Sequence, residues 1–380
     1  MADPILKTYA TQAVPHFDQA GVSLAFRQVP SGAYRGNVAS WPGSTDSDFH
    51  GTLGAIWVWS RHQALSGQER FAGNRRAGWA FVENVWRQFI PEAIGPDASS
   101  DEAAYDCAMV LRAALAERGA EGEGDPAATN THNPAREALV AGAARVLAAY
   151  LADLDDLSGR DFQDPGFAAW SLIDYARSVE DRGLLSAGRR FVERSFGMKA
   201  PPSFITEPET PGRLFDFSST TATRVLAIMA SEGNTPFVGA WLRERVAGAI
   251  PRGWSPRVRD ENCWNACVAA TLGRAYVVST DPLFLETYRT ITGELSRRDA
   301  LSRGASSSGG LGRAGGGQME VAGEVWPAPD SLATFYYALA TDALVRSEAD
   351  IHDLGRGAER GERGERGERG ERGNERGHGR

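Results

Sequence analysis

One motif order recurs about six times along the chain and limits the folds open to it: a short loop rich in acidic and aromatic residues, then an apolar helix, then an amphipathic one. The loops are Asp46-Ser47-Asp48-Phe49-His50, Ser100-Asp101-Glu102, Asp161-Phe162-Gln163-Asp164, Phe215-Asp216-Phe217, Arg259-Asp260-Glu261-Asn262 and Glu324-Val325-Trp326-Pro327-Ala328-Pro329-Asp330. With Asp48, Asp101, Asp164, Asp216, Asp260 and Asp330 as markers the intervals are 53, 63, 52, 44 and 70 residues. Each interval holds one helical hairpin and a loop of variable length. A hairpin repeated in this way needs its neighbours to bury its apolar face, so the pattern predicts a closed ring of hairpins with polar residues gathered at one mouth.

The periodicity within each repeat supports that reading. Leu53 to Leu65 is apolar on almost every side, as an inner-layer helix is, whereas Glu69 to Phe89 sets Phe71, Trp79, Val82, Trp86 and Phe89 at helical spacing with charges between them. The same order returns in 103–117 with 135–153, 167–179 with 186–196, 221–231 with 236–249, and 264–279 with 282–298. The last apolar helix, 331–346, has no partner after it, and the N-terminal helix expected over 3–19 can supply one. Caps and N1 prolines mark the starts, as in Ser100-Asp101-Glu102, Asp281-Pro282 and Pro329-Asp330. The best strand signal is 23–29, and 299–325 reads as a long Gly/Ser-rich loop placed to act as a flap. The expected fold is therefore all-α: an (α/α) toroid of about six helical hairpins over 1–350. Residues 351–380 carry Gly-Glu-Arg repeats without apolar side chains and are expected to be a disordered tail.

Charge and cysteine usage narrow the partners. The net charge is −8, and 39 of the 41 basic residues are arginine, with no basic stripe, so nucleic acid is not an expected partner. No run of 18 apolar residues occurs and the first residues lack a secretory core, which points to a cytoplasmic protein without a membrane partner. Three cysteines without a CxxC pair suit a reducing compartment, with Cys263 and Cys267 read as buried thiols. Gly310-Leu311-Gly312-Arg313-Ala314-Gly315 matches a dinucleotide fingerprint in letters only, because no strand precedes it and no helix opens from it. No cofactor and no metal site are expected.

The mouth is where chemistry is expected. Asp101, Glu102 and Asp330 are explained by capping, since helix N-termini favour carboxylates. Capping does not explain the aromatic company of Asp48 (Phe49, His50), Asp164 (Phe162, Trp170) and Asp216 (Phe215, Phe217), or Trp326 ahead of Asp330. Sugar rings call for this combination: hydroxyls need charged acceptors, C–H faces need aromatic surface, and glycosidic cleavage needs a carboxylic acid and a carboxylate base.

In hairpin order, acidic helix starts and Trp content the chain resembles the (α/α)6 toroid superfamily, which includes glycoside hydrolases, uronyl hydrolases, sugar epimerases and polysaccharide lyases. The resemblance covers about residues 1–350 and is architectural. It implies a carbohydrate-active enzyme hydrolysing a small oligosaccharide. Asp48 and Glu261 are the expected acid/base pair, His50 a proton shuttle, and Asp164, Asp216, Arg259, Asn262, Trp326 and Asp330 the substrate contacts. Two other readings stay open: uronide elimination or epimerisation, with His50 and a tyrosine moving protons, and a non-catalytic helical binding or scaffold protein. A terpenoid or prenyl toroid is a more distant relative, and the aspartate-rich motif it would need is not seen.

Overall fold

The computed structural model describes residues 4–41, 44, 48–93, 101–121, 133–154, 163–196, 219–232, 242–243, 262–305, 318–321, 324–327 and 330–345. Its helices are α1 (Pro4–Phe26), α2 (Phe49–Ser66), α3 (Ala72–Ala93), α4 (Asp101–Glu121), α5 (Pro134–Asp153), α6 (Gln163–Ser178), α7 (Arg182–Phe196), α8 (Ser219–Glu232), α9 (Asn262–Ser279), α10 (Pro282–Ala305) and α11 (Ser331–Asp342). One antiparallel hairpin, β1 (Gln318–Val321) with β2 (Glu324–Pro327), precedes α11.

Six helices, α2, α4, α6, α8, α9 and α11, pack each on the next, and α11 returns to α2, so the inner ring is closed. The sequence explains why these six lie inside. Every residue from Gly51 to Ser60 of α2 and from Ser331 to Ala340 of α11 is buried, which leaves neither helix a wet face there. The outer helices α3, α5, α7 and α10 keep one polar side. Of the outer helix expected over 236–249, only the helical residues Leu242 and Arg243 are described; Arg243 donates to Asp281 Oδ2 at 2.5 Å.

The inner helices run parallel, as their contacts show. Residues near the starts meet one another (His50 with Tyr105, Tyr105 with Phe167 and Tyr336), and residues near the ends do the same (Arg61 with Asp342, Arg112 with Asp174). Their starts therefore form one mouth and their ends the opposite face. Caps set where they begin. Asp48 accepts from Gly51 N at 2.7 Å and Asp330 from Ala333 N at 2.9 Å, while Gly67, at φ 68°, closes α2 in the left-handed region.

The N-terminal helix does close the ring, lying against α2 and α11. Trp59 Nε1 donates to Gly21 O at 3.0 Å, and α1 extends through Phe26 rather than stopping near residue 19. The strand expected over 23–29 is thus corrected. Ser23 to Phe26 stay helical because Leu24 is buried in the core, and only the bridge between Gln28 and Val38 is extended. The long loop expected over 299–325 is also shorter, since α10 runs to Ala305 and the hairpin occupies its far end. The fingerprint over 310–315 and the tail beyond 345 lie outside the described residues.

His62 sits on inner helix α2 and turns outward against α1, buried beside Phe71 with its Nε2 3.4 Å from Asp18 Oδ1. Burial lowers its pKa from the ordinary 6.5, Arg70 acts in the same direction, and Asp18 opposes both. The unfolded chain therefore takes up the proton first as pH falls. The stability tied to neutral His62 is complete above about pH 6.5 and is lost as pH falls through the lowered native value. Melting temperature should decline from pH 7 to 5, and His62→Gln should flatten that decline. An unchanged slope in the variant would assign the acid sensitivity elsewhere.

Candidate active site

The mouth is built from the first turns of α2, α4, α6 and α11. His50, the second residue of α2, points to Asp106 of α4, with Nε2 in contact with Asp106 Oδ1, and both side chains reach solvent, at 28% and 18% exposure. The imidazole meets the Tyr105 ring edge-on at 4.8 Å. Below this pair lies an aromatic floor. The Tyr105 and Tyr336 hydroxyls are 2.7 Å apart, Phe167 packs at 5.1 Å from Tyr105, and Trp170 stands edge-on to Phe167 at 5.7 Å. Asp164 is half-buried in the first turn of α6. A part-exposed His–Asp pair thus stands beside rings that are themselves buried, Phe167 and Tyr336 almost completely.

Asp48 and Asp330 both cap inner helices, α2 and α11. Asp48 Oδ1 caps α2, and its Oδ2 accepts from Ser40 Oγ at 2.8 Å and Ser331 Oγ at 2.7 Å, which ties α11 to α2. Gly51 and Gly54 allow the approach: a Cβ on Gly51 would collide with Ser331 and Asp48, and one on Gly54 would lie 2.8 Å from Phe335 Cβ. Asp330 is 1% exposed. Between these carboxylates lies Arg27, whose guanidinium donates to Ser23 O, Ser40 O, Ser23 Oγ and Thr334 Oγ1. Burial lowers the Arg27 pKa to about 10, against the pull of Asp330 first and Asp48 second. These residues form the joint of the ring, one layer behind the mouth.

Of the other expected site residues, Asn262 opens α9 and Trp326 lies on β2 opposite Met319. Glu261, Asp216 and Arg259 are outside the described residues. Sequence reading missed Asp106, Tyr105 and Tyr336. A signal for Asp106 existed: it is the one charge in the apolar run from Ala103 to Leu111, whose other residues are all buried. Trp57 faces the ring interior against Phe335 at 5.3 Å, and Trp59 faces α1.

Solved structures share the fold. An α-1,6-mannanase from Salegentibacter sp. HEL1_6 superposes with a TM-score of 0.53 at 8% identity, covering 88% of this chain and 100% of its own. An unsaturated glucuronyl hydrolase specific for heparin superposes at 0.51 with 13% identity, covering 90% and 97%. The fold is an (α/α)6 toroid. An inactive variant of the mannanase carrying two Asp-to-Asn changes, in complex with α-1,6-mannotriose, also superposes, with a TM-score of 0.51 at 9% identity over 88% of this chain and 100% of its own. No family model matches the sequence, and no curated protein does. The mouth thus holds a part-exposed His–Asp pair beside aromatic rings, and the opposite face the Arg61–Asp342 and Arg112–Asp174 ion pairs. Among the described residues no cluster of three or more His, Cys, Asp or Glu is placed to hold a metal, and no helix is long and apolar enough to cross a membrane. Cys107 and Cys267 are buried free thiols, and burial pushes the Cys107 thiol pKa strongly upward.

Proposed function

We propose that this chain is a carbohydrate-active enzyme that hydrolyses a glycosidic bond in a small oligosaccharide at the N-terminal mouth of the ring. The observation that carries the reading is the part-exposed His50–Asp106 pair beside Tyr105, near the starts of the inner helices of a toroid. The neighbours in fold, a mannanase and a glucuronyl hydrolase, support it. The acid/base pair is revised in one member. Asp48 commits both oxygens within the protein, so we assign Asp48 and Asp330 to holding the mouth together and Asp106 to the substrate. Glu261 keeps its role as the opposing carboxyl group. Asp164, Asp216, Arg259, Asn262 and Trp326 remain the proposed contacts for hydroxyls and ring faces.

In this mechanism one carboxyl group protonates the glycosidic oxygen as the bond breaks, and the other draws a proton from the water that adds at the anomeric carbon. His50, held against Asp106 Oδ1, orients that carboxylate and shares its proton. A second reading has its own observation: the His50 ring beside Tyr105, itself hydrogen-bonded to Tyr336, suits proton abstraction and return on a uronide, by elimination or epimerisation. Mass analysis of products from α-mannoside and uronide oligosaccharides separates the two. Hydrolysis yields fragments whose summed mass exceeds the substrate by one water; elimination yields fragments of equal summed mass and an absorbing double bond. Gain of water is the expected outcome. Equal mass would move the assignment to the second reading.

A further inference from the structure

Helix α1 takes the outer place beside α2 and α11, yet its outward face is unlike those of the other outer helices. Among its described side chains the exposed ones are Gln12, Pro15, Gln19, Val22 and Phe26, spaced 3, 4, 3 and 4 apart, which draws one stripe along the helix. None of the five carries a charge. Each other outer helix exposes at least one, such as Arg76 on α3, Glu137 on α5, Arg189 on α7 and Glu286 on α10. The charge beside the stripe, Asp18, is half-buried and engaged by Arg70 and His62.

Large apolar side chains left in water gather at the same place. Among the described residues they are Val22, Phe26 and Tyr34, at 42%, 68% and 52% exposure, and all three lie on α1 or the loop that follows it. That loop is tied by its own backbone: Val29 N donates to Asn37 O at 2.8 Å and Gly36 N to Val29 O at 2.9 Å. Gly36, at φ 92°, packs so close to α3 that a Cβ there would lie 2.0 Å from Ala77 O. Tyr34 is thus presented on an ordered turn, and little ordering entropy is lost when such a surface is covered.

We propose that the α1 stripe is the contact between two copies of this chain, packed antiparallel about a two-fold axis between Gln19 and Val22. The spacing is that of a helix–helix seam, and it matches its own reverse: Gln19 of one copy meets Val22 of the other, and Pro15 meets Phe26. The lack of charge picks the partner. The chain carries a net charge of −8, so a copy approaching at a face of average charge is repelled, whereas this stripe meets itself without like-charge repulsion. The pairing is independent of the glycosidic reading. Sedimentation velocity of the full-length protein across about 1 to 100 µM tests it, and the average mass should rise from one chain toward two. Phe26→Glu and Val22→Glu should each weaken dimerisation at least about tenfold, with the helical signal unchanged, and Pro15→Lys added to Phe26→Glu should restore part of the loss by pairing charges across the axis. A dimer that survives both glutamate variants undiminished would overturn the proposal. A wild-type chain monomeric throughout would overturn it too and leave the face to an unlike partner, and failure of Pro15→Lys to restore any dimer would overturn the antiparallel arrangement.

Discussion

Arg27→Met should cost about 3–5 kcal/mol of unfolding free energy, the range for breaking a buried ion pair from one side. Arg27 is 5% exposed and donates to Ser23 O, Ser23 Oγ, Ser40 O and Thr334 Oγ1, under the pull of the Asp330 and Asp48 carboxylates. Methionine fills the volume and leaves Asp330 charged in the interior. Adding Asp330→Asn to that variant removes the stranded charge and should recover part of the loss, because an amide oxygen can still cap α11 through Ala333 N. Urea unfolding of the two single variants and the double variant gives the coupling energy. A coupling energy within about 0.5 kcal/mol of zero, as for independent sites, would mean that the ring is held shut by apolar packing of α1 against α2 and α11 and not by this joint.

Asp106→Asn carries the second large effect, a loss of turnover on the order of 10²- to 10⁴-fold with stability little changed. Asp106 is partly exposed and its described partner is His50, so the amide preserves size and leaves the helix intact. The contrast with Asp48→Asn makes the assignment specific. Asp48 accepts from Gly51 N and from two serine hydroxyls, so its amide should lower the melting temperature clearly. Two aspartates near one mouth should thus separate, one acting on rate and the other on stability.

The ring was legible in the sequence because inner and outer helices differ in pattern. α2 and α11 are apolar on all sides, and the outer helices are amphipathic, so the layer of each helix could be read from its own residues. Asp48 and Asp330 were legible as helix starts, and their capping bonds are present. What could not be read was the direction of each carboxylate. Whether Asp48 faces a cavity or two serines 8 and 283 positions away depends on the α2–α11 approach through Gly51 and Gly54, a contact between the two ends of the described chain. Asp106 escaped notice for the opposite reason. It stands one turn inside α4, past the loop where polar residues were sought, and only the meeting of α4 with α2 gives it His50 as a partner. The strand expected over 23–29 failed on the same ground, since burial of Leu24 against the ring outweighed local preference.

The most direct test of the central claim is a kinetic comparison of Asp106→Asn at the mouth with Arg274→Gln, which lines a cavity with Arg112 and Asp174 toward the opposite end of the ring, on the best substrate from an α-mannoside and uronide panel. Both variants should fold. The mouth variant should lose kcat by at least about 10²-fold, and the variant at the opposite end should keep wild-type kcat and KM. Full turnover by Asp106→Asn, together with loss of turnover in Arg274→Gln, would place the chemistry at the other end of the ring and contradict the account.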